Sequence, residues 1–195
     1  MPKLIKPKLA IELIPSSCHF SNVRTMIPKK DWDTIRFSVY KNAQHKCEIC
    51  GGNGIDQGYK HRVECHEIWD YDDENKIQKL VGLISLCVVC HQVKHIGRAM
   101  AMGRKQQCFK QLARINKWTL AQINEYIRVS FEKHLERSKF QWTLDISMLN
   151  EEPYSLGLKL GQKRIFEVKR YKKKRKKKST KKKAAKKANK RPPRR

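Results

Sequence analysis

Leu86-Cys87-Val88-Val89-Cys90-His91-Gln92-Val93-Lys94-His95 is the stretch on which the fold turns. It holds a CxxC knuckle followed at once by histidine. A second knuckle, Cys47-Glu48-Ile49-Cys50-Gly51-Gly52, lies upstream, with 36 residues between the two pairs. Two such pairs predict a four-cysteine tetrahedral zinc site, Cys47, Cys50, Cys87 and Cys90. The two-residue spacing lets backbone amides turn toward both thiolates, and the glycines after Cys50 permit a tight reversal. Four thiolates leave no open position for water, so this zinc is expected to be structural. Cys18 and Cys108 read as small apolar residues.

Between the knuckles lies Val63-Glu64-Cys65-His66-Glu67-Ile68-Trp69. On a strand, Glu64 and His66 share a face. If residues 88–100 are helical, His91 and His95 are four apart and share one too. Histidine and an acid on a strand, facing helical histidines, can hold one divalent ion and leave one imidazole free as a base. Residues 47–102 therefore predict a compact module of knuckle, strand, loop, strand and helix.

The LCxxCHxxK element with its upstream CxxC and strand histidine resembles the HNH endonuclease family and its ββα-metal fold. The match covers roughly residues 45–100. The strings around VECHEIW, YDD and CHQVKHIGRA resemble a bacterial and phage subgroup with a helical C-terminal extension. The resemblance implies His66 as general base, His91 as a catalytic-metal ligand and the four cysteines as zinc ligands. Two positions depart from the family. Cys65 stands where an Asp ligand is frequent, so Glu64 is favoured as the acidic ligand, with Glu67, Asp72 and Asp73 also available. Gly82 stands where the family Asn orients the base. His95 is an additional candidate ligand, or else faces solvent or nucleic acid.

The chain has 195 residues, 45 Lys+Arg and 18 Asp+Glu, for a net charge of +27. Residues 169–195 carry 18 of those bases and no acid. With no apolar residue larger than alanine except Tyr171, that tail is expected to be disordered. Such charge points to a polyanion. Lys94, Arg98 and the tail residues Lys172, Lys173, Lys174, Arg175, Lys176, Lys177 and Lys178 are expected to contact phosphate without sequence preference. No apolar run is long enough for a membrane span, and no apolar stretch follows the first basic residues as in a secretory signal. A cytoplasmic, nucleoid-associated location is expected, with no membrane partner and no small-molecule cofactor.

The expected class is α+β: a zinc-knuckle module between an N-terminal helix and a helical extension. Residues 1–28 read as an irregular, proline-punctuated arm in which Leu9–Ile14 could form one strand. Residues 29–104 hold the module and its preceding helix, with Trp32, Ile35, Val39 and Ala43 at helical spacing. Residues 105–168 hold the extension. One helix spans 105–117, with Phe109, Leu112 and Ile115 inward. A second is capped by Thr119 and turns Ile123, Tyr126, Ile127, Phe131 and Leu135 to one face. Residues 140–149 alternate like a strand, and Gly157 and Gly161 mark turns before a short strand at Ile165–Val168.

The chemistry implied is DNA phosphodiester hydrolysis. Neutral His66 takes a proton from water, and Mg²⁺ or Mn²⁺ near His91 neutralises phosphate charge; Ni²⁺ is a further substitute. The resemblance implies 5′-phosphate and 3′-hydroxyl ends. The alternative is a catalytically weak zinc module that binds nucleic acid, motivated by Cys65 and Gly82. An RNA-binding accessory protein accounts for the tail but not for His66 and His91.

Overall fold

The expected strand–loop–strand of the module is a long antiparallel hairpin, β1 (Glu64–Asp72) and β2 (Ile77–Leu86). This computed structural model describes residues 7–151 and the backbone of 165–167. Asp72 closes the hairpin: its Oδ1 accepts from the backbone N–H of Glu74 and Asn75 at 3.0 and 2.9 Å, an Asx-type turn. Asp73 pairs with Arg137 instead, so neither acid reaches the histidines.

The hairpin carries a bulge. Ile68 pairs with Gly82 but Trp69 with Leu80, which leaves Val81 without a partner and 48% exposed. The extra residue brings Leu80 and Leu83 onto one face of β2. That face, with Cys65 and Trp69, packs against Trp32, Ile35 and Val39 of helix α2 (Lys29–Asn42). Pro28 stands just before α2, where its missing N–H costs nothing. A short helix α1 (Val23–Met26) precedes it, capped by Asn22.

The other face of the hairpin receives α3 (Val88–Lys94) and α4 (Ile96–Ala101). The single helix expected over 88–100 breaks at His95, whose backbone (φ −104°, ψ 46°) leaves the helical region. The hydrogen bonds from His95 N to His91 O and from Ala99 N to His95 O bridge the break, both at 3.2 Å. Helices α5 (Lys105–Asn116) and α6 (Leu120–Arg137) complete this layer. Cys108 and Leu112 are buried on α5, and Ile123 and Ile127 on α6. Thr119 caps α6 in a reciprocal box with Gln122. Leu135, expected on the inward face of α6, is 63% exposed.

The sheet order is β1-β2-β3-β4. β3 (Thr143–Asp145) pairs parallel to β2 and antiparallel to β4 (Ile165–Glu167). The alternation over 140–149 survives in the buried Trp142, Leu144 and Ile146, but extended pairing stops at Asp145 and a 3₁₀ turn follows at Ser147–Asn150.

The arm departs most from expectation. Leu9–Ile14 forms no strand, yet Leu9 and Ile11 are buried. The backbone groups are met from the helices: Leu9 N–H donates to Asn116 Oδ1 at 2.9 Å, Asn116 Nδ2 to Leu9 O at 3.0 Å, and Ile11 N–H to the Tyr126 hydroxyl at 3.2 Å. Glu12 N–H donates to Lys94 O at 2.9 Å. Gly157, Gly161, Val168 and the basic tail, with Lys172 to Lys178, lie outside the described residues. Among those described, no helix is long and apolar enough to cross a membrane.

Candidate metal centre and basic cleft

Each knuckle is held by the hairpin. Cys47 N–H donates to Gly52 O at 2.9 Å and Gly51 N–H to Cys47 O at 2.8 Å. Gly51 supplies the positive φ of 74° that this reversal needs. Glu48 is bonded to Ser85 twice, through N–H to Ser85 O at 2.9 Å and by accepting from Ser85 N–H at 2.6 Å. The first knuckle is thus pinned two residues before Cys87. Cys87 occupies the N-cap position of α3 and Cys90 its first turn.

The four sulfurs lie within 4.8 Å of one another, with Cys50 and Cys87 Sγ 3.6 Å apart. A tetrahedron of Zn–S bonds near 2.3 Å has edges of about 3.8 Å, so the cluster could hold zinc. Its surroundings fit a thiolate site. Gln111 of α5 donates Nε2–H to Cys90 Sγ at 3.0 Å, the outer-sphere bond a ligating sulfur takes. Hydrogen bonds from Cys87 and Cys90 favour the Cys47 thiolate, and the same contacts push the Cys87 and Cys90 thiols up. Cys18 and Cys108 are buried, and desolvation pushes both thiols up to about 11. Cys65 lies on the α2 face of the hairpin, and burial pushes it to about 12.

A second cluster forms on the opposite face. One ring nitrogen from each of His66, His91 and His95 lies within 4.8 Å of the others. Ring centroids are 5.2 Å apart for His66–His91, 5.0 Å for His66–His95 and 4.8 Å for His91–His95. His66 is 4% exposed. Burial lowers its pKa below the usual imidazole range, against the pull of Glu12. Burial, then the neighbouring His66 and His91, pushes His95 down to about 3. Both are therefore neutral imidazoles at neutral pH, with a lone pair to offer.

Glu64 lies beside this cluster: its Oε2 is 2.6 Å from His91 Nδ1 and its Oε1 3.1 Å from His61 Nε2. Burial alone would raise its pKa, but the His91 hydrogen bond and the charges of His91 and His61 outweigh that. Glu67 faces away and accepts from Val23 N–H at 2.9 Å. Lys94, expected on phosphate, is 5% exposed and ion-paired to Glu12. Arg98 is exposed.

A cleft of about 1030 Å³ opens over the histidines. Its cations come from separate elements: Arg24 of α1, Lys29 and Arg36 of α2, Arg62 of the loop before β1, and Arg98 of α4. Asp33 pairs with Lys29 and Arg36. Arg24, Arg62 and Arg98 have no ion pair among the described residues. Phe37 stands 53% exposed on the cleft wall, with the Arg36 guanidinium 4.1 Å over its ring. The cleft thus combines cations with one exposed aromatic ring.

Compared with protein-family models, curated proteins and solved structures, the chain matches none. Gln111, Arg24, Lys29, Arg36, Phe37, Arg62 and Glu12 belong to these sites although no sequence motif includes them. Glu12 carried one signal: it is the only charged residue in the apolar run Leu9-Ala10-Ile11-Glu12-Leu13-Ile14.

Proposed function

We propose that this chain is a metal-dependent, HNH-type endonuclease that hydrolyses DNA phosphodiester bonds. The observation that carries the reading is the convergence of His66, His91 and His95 at a cleft lined by Arg24, Arg62 and Arg98, which have no ion pair among the described residues. A structural zinc site by itself needs neither feature. His91 and His95, with Glu64 at the outer nitrogen of His91, would hold a divalent ion. When bound, that ion neutralises charge on the scissile phosphate and the departing oxygen. Imidazole donors suit Mn²⁺ better than Mg²⁺, which prefers oxygen ligands.

The chain's own residues do the rest. Arg24, Arg62 and Arg98 bind the flanking backbone, and Phe37 with Arg36 orients it. Neutral His66 removes a proton from water as the water oxygen bonds to phosphorus. The P–O3′ bond breaks, and the 3′ oxygen leaves as an alkoxide that takes a proton from solvent. Products with 5′-phosphate and 3′-hydroxyl follow.

The test is plasmid cleavage with Mg²⁺ and Mn²⁺. His66→Ala should slow cleavage by about 10²–10⁴-fold, the contribution of a positioned base, while DNA affinity and bound zinc stay at wild-type levels. His91→Ala should also slow it, but recover in part at raised Mn²⁺ by mass action. A wild-type protein that binds DNA but cuts with no divalent ion would leave the rival reading, a zinc-module DNA-binding protein. Cys65 and Gly82 would then mark a site without its chemistry.

A further inference from the structure

Position 82 leaves the proposed base without the family's orienting Asn. Gly82 has no side chain, and a Cβ there would meet Ile68 Cδ1 at 3.3 Å. A different group touches the imidazole. Glu12 Oε2 lies 2.7 Å from His66 Nε2, across 54 residues of chain. Its other oxygen pairs with Lys94 Nζ.

We propose that Glu12 is the positioning residue of His66, holding the ring with its proton on Nε2 and its lone pair on Nδ1. The proposal rests on the reading of His66 as base. A carboxylate can only accept, so the imidazole must donate to it through Nε2. A neutral ring has one N–H, so Nδ1 is left as the basic nitrogen. Lys94 keeps Glu12 anionic, because a buried ammonium requires a counter-charge. The last residue of the LCxxCHxxK element therefore secures the group that aligns the base.

The arm's path makes this placement specific. Leu9 is tied to Asn116 of α5, Ile11 to Tyr126 of α6, and Glu12 through its own N–H to Lys94 of α3. Three helices thus fix the backbone that delivers the carboxylate. The arm belongs to the active centre, although it lies outside the motif.

The test uses the full chain, zinc-loaded and labelled with ¹⁵N-histidine. Long-range ¹H–¹⁵N correlation reads the His66 tautomer, and plasmid cleavage reads its consequence. In the wild type His66 should carry its proton on Nε2. Glu12→Ala should let the tautomers mix and slow cleavage by roughly 10–100-fold, as loss of an orienting outer partner does, with zinc retained. Glu12→Gln keeps an accepting oxygen, so it should hold the tautomer and lose less rate. A wild-type His66 protonated on Nδ1 overturns the proposal, whether or not any variant folds. An unchanged tautomer in Glu12→Ala also overturns it, and leaves the nuclease reading standing if the wild type cuts DNA. A tautomer that shifts in Glu12→Ala, in a protein that never cuts, upholds Glu12's role and removes the nuclease.

Discussion

Glu67 follows the proposed base in sequence and faces the other side of the sheet. Its carboxylate caps α1 through Val23 N–H, yet burial pushes its pKa up to about 7, against those backbone donors. The folded protein therefore holds this proton more tightly than the unfolded chain, where a Glu titrates near 4.5. The resulting stabilisation is complete below about pH 4.5 and is lost as pH rises through about 7. It amounts to about 3 kcal/mol at most. His66 and His95, held below the usual imidazole range, act with the opposite sign: their contribution is lost as pH falls below about 6.5. Comparing Glu67→Gln with wild type isolates the carboxyl. The variant should gain about 1–3 kcal/mol on wild type between pH 5 and pH 8 in urea unfolding. An identical pH dependence in both proteins would show that Glu67 does not titrate there.

At the scale of elements, the loop from the first knuckle to β1 is held by its backbone. Gly54 N–H donates to Arg62 O at 2.6 Å, and Tyr59 N–H to Gly54 O at 2.8 Å. A Cβ at Gly54 would lie 2.2 Å from His61 O, a clash with backbone that no rotamer relieves. At Gly52 the nearest atom would be Cys50 Sγ at 3.6 Å, an ordinary contact. Gly54→Ala should thus destabilise by about 1–3 kcal/mol, and Gly52→Ala should be nearly silent. Thermal melts of the two variants check the contrast. Because His61 and Arg62 end this loop and line the cleft, Gly54→Ala should also weaken the DNA binding proposed for it.

For the whole molecule, the sheet separates two cores, and the cysteines belong to one of them. Cys47, Cys87 and Cys90 pack in the same cluster as Leu9, Ile96, Leu112 and Ile123. Zinc there would join the arm, hairpin and helical extension at once. Structural zinc contributes on the order of 10–16 kcal/mol in peptide systems, as much as a domain's entire stability. One zinc per chain is expected by metal analysis. A strong chelator should lower the melting temperature sharply, and Cys90→Ala should leave the core unfolded. Folded, freshly purified protein containing no zinc would refute the assignment.

Much of this fold is legible in the residue order because its signals are local. The CxxC pairs, the hairpin residues, the α2 stripe of Trp32, Ile35 and Val39, and the Thr119 cap all act within a few residues of chain. The convergence of His66, His91 and His95 follows once the hairpin and the helix after it are recognised. What stayed hidden depends on partners far along the chain. Glu12 meets His66 and Lys94 across 54 and 82 residues, so neither contact leaves a periodicity. The run Leu9–Ile14 has a strand's composition but meets Asn116 and Tyr126 side chains where a strand would need a neighbouring edge. Lys94 looks like a surface cation until the arm crosses it. The bulge at Val81 arises from pairing between strands. Local chemistry determined which elements form and which side chains could hold a metal. Only the tertiary path decided what orients the proposed base, because burying His66 and Lys94 required an anion brought from elsewhere.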